Sequence, residues 1–70
     1  MRPNQAVLWR VIYIARGEQQ AQSIEEMLLQ AGFLVDRKRL SPGSVHEDIE
    51  IRTLDSEAEE ARLYLMEQGL

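Results

Sequence analysis

The chain has no cysteine, one histidine, one lysine and two prolines among its 70 residues. Without cysteine there is no disulfide to staple a small fold and no thiolate to hold zinc. Only 6% of the residues are aromatic, and no apolar run approaches the roughly 20 residues that span a bilayer. The longest run, Val11-Ile12-Tyr13-Ile14-Ala15, is the size of a strand. The start, Met1-Arg2-Pro3-Asn4-Gln5, lacks the apolar core of a secretory signal, so the expected location is the cytoplasm and no membrane partner is expected. Excess positive charge is missing too. With 8 basic and 12 acidic side chains the net charge is −4 and the pI about 4.8, which disfavours a nucleic-acid partner.

What is present is an ordinary globular composition, 44% hydrophobic and 29% charged. A chain this short makes one domain, 1–70, and a domain of this size buries only about 60% of its unfolded surface. Packing alone, or packing with a partner chain, must therefore hold it.

After a polar lead-in over 1–6, Leu8 to Ala15 is rich in aromatic and β-branched residues and predicts a strand over 8–15. Simple alternation puts Trp9, Val11 and Tyr13 on one side, and Leu8, Ile12 and Ile14 on the other with Arg10. A strand apolar on both faces is usually covered on both. Gly17 ends it. Ala21, Ile24, Leu28 and Ala31 then recur at helical spacing and predict a helix over 18–31, closed by Gly32. A second strand is expected over 33–40, a turn at Ser41-Pro42-Gly43-Ser44, and a third strand over 47–53. In the third, Ile49 and Ile51 form an apolar face, and Asp48, Glu50 and Arg52 a wet one. A last helix is predicted over 55–68, capped by Asp55, or by Ser56 with Glu59 in a capping box. Ala58, Ala61 and Leu65 are its buried stripe, and Gly69 ends it.

The order βαββα implies an α+β two-layer sandwich. A right-handed crossover sets strands one and two parallel with room for one strand between them. The third fills the gap, so the sheet order is 1-3-2 with both helices on one face. This is the ferredoxin-like arrangement without its fourth strand. The most hydrophobic strand becomes an edge, and an open edge invites another chain. Trp9, Val11 and Tyr13 are the candidate interface residues, for a homo-oligomer or a protein partner. The alternative is that Gln5–Val7 or the C-terminal tail covers the edge.

Candidate chemistry is sparse. His46, beside Glu47 and Asp48, has no partner held at a defined angle, because neighbours on an extended segment diverge. Lys38 lies between two arginines, but so small a core builds no cofactor pocket, and no cofactor is expected. No serine has a histidine placed for a triad. Asp55, Glu57, Glu59 and Glu60 crowd a helix N-terminus, where the helix dipole accounts for them without a metal. No glycine-rich phosphate loop occurs. Arg37, Lys38 and Arg39, with Ser41 and Ser44 in the adjoining turn, form a basic patch that suits a small anionic ligand. Cross-strand pairing with Glu47, Asp48 and Glu50 explains the same charges without one.

At Trp9-Arg10-Val11-Ile12-Tyr13-Ile14-Ala15, Ala31-Gly32-Phe33-Leu34-Val35 and Ser56-Glu57-Ala58-Glu59-Glu60-Ala61, the chain resembles a group of short βαββα proteins, mostly from clostridia and their relatives. More distantly it resembles a signal-transducing family related in topology to nitrogen-regulatory signal proteins. Members of the short group often carry the label glutamate decarboxylase. Enzymes of that name are far longer and use a pyridoxal phosphate lysine in a large domain. No stretch of this chain matches that site, so no enzyme is expected. The resemblance implies a small regulatory or interaction module. In the nitrogen-regulatory proteins the loop between strands two and three touches partners and lies near ligand sites; here the much shorter Leu40–Glu47 takes that place.

Overall fold

The computed structural model describes residues 7–40 and 47–70. Residues 1–6 and 41–46, where the lead-in and the turn with Ser41, Ser44 and His46 were expected, lie outside the described residues. Strand β1 runs Trp9–Arg16, helix α1 Glu18–Gln30, strand β2 Val35–Arg39 and strand β3 Asp48–Leu54. A single 3-10 turn, Asp55–Glu57, leads into helix α2, Ala58–Glu67. The sheet order is β1-β3-β2, and β3 is antiparallel to both neighbours. This is the expected α+β arrangement, with three strands and two helices among the described residues.

The core forms where the apolar stripes meet. Ile49, Ile51 and Thr53 are buried and alternate along β3 with the half-buried Asp48, Glu50 and Arg52. That period of two marks β3 as the central strand, dry on the helix side. Ala21, Ile24 and Leu28 of α1 and Ala61 and Leu65 of α2 close over Ala15, Ile49 and Ile51. Ile12, Tyr13, Met27, Phe33, Val35 and Tyr64 pack around this centre. Complete burial of an Ile or Leu contributes about 1.5–3 kcal/mol each, so these few side chains dominate the stability. Ala31 is the exception in the expected stripe. It caps α1 and is exposed.

Both helices end in the same way. Gly32 has φ +98°, its N–H donates to Leu29 O at 3.0 Å, and Phe33 N–H donates to Leu28 O at 3.0 Å. Gly69 has φ +92°, its N–H donates to Met66 O at 3.0 Å, and Leu70 N–H donates to Leu65 O at 3.0 Å. This paired bonding is the Schellman motif, which satisfies carbonyls the helix leaves open. It also shortens β2, because Phe33 is used to close α1. The C-terminal tail is likewise spent on α2 and adds no strand to the sheet.

The start of α2 differs from expectation. Neither Asp55 nor Ser56 caps it, and its N-cap residue, Glu57, makes no side-chain capping bond. The Asp55 carboxylate accepts instead from Arg10 Nε at 2.6 Å, and a 3-10 turn carries the chain into the helix.

β1 departs further. Trp9 stands opposite Leu54, Arg10 opposite Thr53 and Val11 opposite Arg52, but Tyr13 stands opposite Ile51. Ile12 is therefore an extra residue, a β-bulge. Residues opposite one another share a face. Tyr13 and Ala15 thus join Ile51 and Ile49 under the helices, while Trp9, Val11 and Ile14 look out from the open side. Tyr13 was expected beside Trp9 and Val11. The bulge resets the alternation, and Ile14 takes its place.

Candidate functional site

Among the described residues, β1 has a strand on one side only. Two backbone bonds show which peptide groups face that neighbour. Leu8 O accepts from Asp55 N–H at 2.8 Å at one end, and Gly17 N–H donates to Glu47 O at 2.9 Å at the other. In an antiparallel ladder inward and outward residues alternate. Counting from both ends towards the bulge turns the peptide groups of Trp9, Val11, Ile14 and Arg16 outward. The same four residues carry their side chains on the helix-free face.

That face is mixed. Trp9, Val11 and Ile14 are 38%, 41% and 47% exposed. Beside them lie Asp48, Glu50 and Arg52 of β3, then Asp36 and Lys38 of β2. Arg52 Nη2 donates to Asp36 Oδ2 at 2.6 Å, and Arg16 Nε lies 3.7 Å from Asp48 Oδ1. Charge is thus concentrated on the β3–β2 half, while the β1 half is mainly apolar. Val7, the one described residue of the lead-in segment expected to cover the edge, is exposed and belongs to no strand.

The hairpin cluster is divided between two surfaces. Arg37 and Arg39 stand opposite Ile51 and Ile49, on the helix side, whereas Lys38 stands opposite Glu50 on the open face. Arg37 does not pair with the acids of β3. Its Nη1 lies 2.8 Å from Glu18 Oε2 and its Nε 3.4 Å from Glu25 Oε1, both on α1. Glu18 and Glu25, seven residues apart, share one helix face, and that spacing was the available signal. A hollow of about 270 Å³ lies beside them, lined by Glu18, Arg37, Arg39 and Ile49. Two carboxylates already compensate Arg37, which leaves Arg39 as the cation of this hollow. A second groove of about 400 Å³, unanticipated in the sequence, runs between the end of α1 and α2 and is lined by Ala31, Phe33, Glu60, Leu63, Tyr64 and Glu67. The Phe33 and Tyr64 rings meet at its floor, 6.1 Å between centroids.

No group of three His, Cys, Asp or Glu side chains able to hold a metal occurs among the described residues. No helix among them is long and apolar enough to cross a membrane. Comparison with protein-family models, curated proteins and solved structures finds no match to the chain.

Proposed function

We propose that the chain is a small interaction or regulatory module that works by taking up another polypeptide strand along β1. The observation that carries this reading is the coincidence, at Trp9, Val11 and Ile14, of outward peptide groups with exposed apolar side chains. Main-chain hydrogen bonds supply affinity in strand addition, and alternate side chains supply specificity. Edges that must stay monomeric are usually blocked by inward-pointing charge, proline or a covering loop. Arg10, near the start of β1, is drawn sideways to Asp55, and Arg16 stands at the strand's end.

Sedimentation over a range of concentrations tests the reading. The unmodified chain is expected to associate. Val11→Pro, which removes an outward N–H and leaves the β1–β3 ladder intact, is expected to reduce association, with circular dichroism confirming that it still folds. Val11→Glu is expected to do the same through its side chain. A chain that stays monomeric at high micromolar concentration and binds no strand-forming partner overturns the proposal.

The competing reading is a sensor that binds a small anion or metabolite at the 37–47 hairpin. Its support is the hollow beside Arg39. It is the weaker because Arg37 is held by Glu18 and Glu25, and Lys38 projects from the other face. Titration with inorganic phosphate tests it: amide shifts confined to residues 37–47 favour it.

A further inference from the structure

The outer edge of β1 is complementary to itself, and the bulge at Ile12 sets which residues form it. Outward peptide groups belong to Trp9, Val11, Ile14 and Arg16, a set symmetric about the bond between Ile12 and Tyr13. An antiparallel copy related by a two-fold axis through that bond brings Val11 opposite Ile14 and Trp9 opposite Arg16, twice over. Every outward residue then meets an outward residue, as a hydrogen-bonded pair of an antiparallel ladder requires; the Arg16 N–H, which donates to Gln20 Oε1 at 2.6 Å in the single chain, exchanges that acceptor for Trp9 O of the other copy. A slip of one such pair leaves either Trp9 or Arg16 of each copy without a partner.

The side chains follow the same symmetry. Val11 against Ile14 is an apolar, β-branched cross-strand pair of the kind that stabilises sheets. Arg16 against Trp9 sets a cation beside an aromatic ring, and the Arg16 guanidinium is held only loosely by Asp48, at 3.7 Å. On the helix side Arg10 falls opposite Ala15, so no arginine faces another across the axis. The helix above agrees. Tyr64 marks the flank of α2 that turns towards α1, through its contact with Phe33. Helical spacing puts Arg62 and Met66 on the opposite flank, above the β1 edge, where Met66 is 57% exposed.

We infer that the strand taken up by β1 is β1 of a second copy of this chain, paired antiparallel with Val11 opposite Ile14, to make a closed two-fold dimer with one continuous six-stranded sheet. This rests on the reading that β1 is the interaction edge, and adds the partner and the register. An isologous contact of this kind closes on itself, so no further copy is recruited through β1.

The absence of cysteine makes the test clean. Val11→Cys and Ile14→Cys chains, both substituted at exposed positions and checked by circular dichroism, are mixed in equal amounts and oxidised gently. A disulfide needs Cα atoms roughly 4.4–6.8 Å apart, which the proposed register provides between position 11 of one copy and position 14 of the other. The expected result is a dimer by sedimentation, with the mixed disulfide well above the half that random pairing gives. Association with predominant Val11→Cys homodisulfides indicates a slipped register, and overturns this proposal while leaving β1 as the interaction edge. Association without crosslinking at either position, or a chain that remains monomeric and binds no strand-forming partner, overturns both.

Discussion

Val11 and Ile14 project from the same face of β1 although three positions separate them, because Ile12 is accommodated as an extra residue opposite β3. In an unbroken strand they would lie on opposite faces. The relationship decides which side chains belong to the core and which to the open edge, and it can be tested residue by residue.

Tyr13 packs against the buried centre, whereas Val11 is exposed. Tyr13→Ala is therefore expected to destabilise the chain by about 2–4 kcal/mol, approaching the cost of truncating a core aromatic. Val11→Ser is expected to cost less than about 1 kcal/mol. Urea denaturation of both variants, at one protein concentration low enough to limit association, checks the order. Equal costs would place Tyr13 on the open face after all.

Removal of Ile12 itself is expected to be tolerated. The deletion makes β1 regular and leaves Val11 outward, Tyr13 inward and Ile14 outward. The cost is the partial burial of one isoleucine, about 1–2 kcal/mol. Amide spectra of β3 that keep their dispersion in the deletion variant, with a modestly lower urea midpoint, are the expected outcome. Collapse of the fold would show that the bulge is indispensable.

Gly32 carries the positive φ of the first Schellman motif, and nothing lies within 4 Å of where a Cβ would stand. Gly32→Ala meets backbone strain without steric obstruction, and a cost of about 1–2 kcal/mol is expected. Thermal denaturation measures it. A neutral result would mean that the turn relaxes to another conformation.

Arg37 bridges β2 to Glu18 and Glu25. Arg37→Ala leaves two like charges on one helix face, but all three groups are partly solvated. The expected loss is about 0.2–1 kcal/mol, smaller at high salt. Denaturation at low and high ionic strength separates the ionic part from lost packing. A loss that does not change with salt would assign Arg37 a packing role.

The element order and the strand order were legible in the sequence, because glycine and proline punctuate the chain and the periodicity of Ile49-x-Ile51 or of Ala21, Ile24 and Leu28 is unambiguous. The faces of β1 were not. Trp9, Val11 and Tyr13 form one apolar set, and Leu8, Ile12 and Ile14 another, so a change of register there leaves no mark on the pattern. The start of α2 misled for a different reason. Asp55 and Ser56 have the chemistry of caps, but Arg10, 45 residues away in sequence, takes up the Asp55 carboxylate. Arg37 was expected to pair with Glu47, Asp48 and Glu50 of the next strand, but it stands opposite Ile51 on the helix side, where Glu18 and Glu25 of α1 reach it.

The place of β3 between its two neighbours also governs the order of assembly. β2 and β3 are close in sequence as well as adjacent in the sheet, Arg39 pairing with Ile49. β1 finds its partners only at separations from 32 residues, Arg16 to Asp48, up to 45, Trp9 to Leu54. Closing such long loops is slow relative to a hairpin. During synthesis the most hydrophobic strand is made first and sheltered last, so the interval before Leu54 leaves the ribosome is when this chain is most exposed to mispairing and to chaperones.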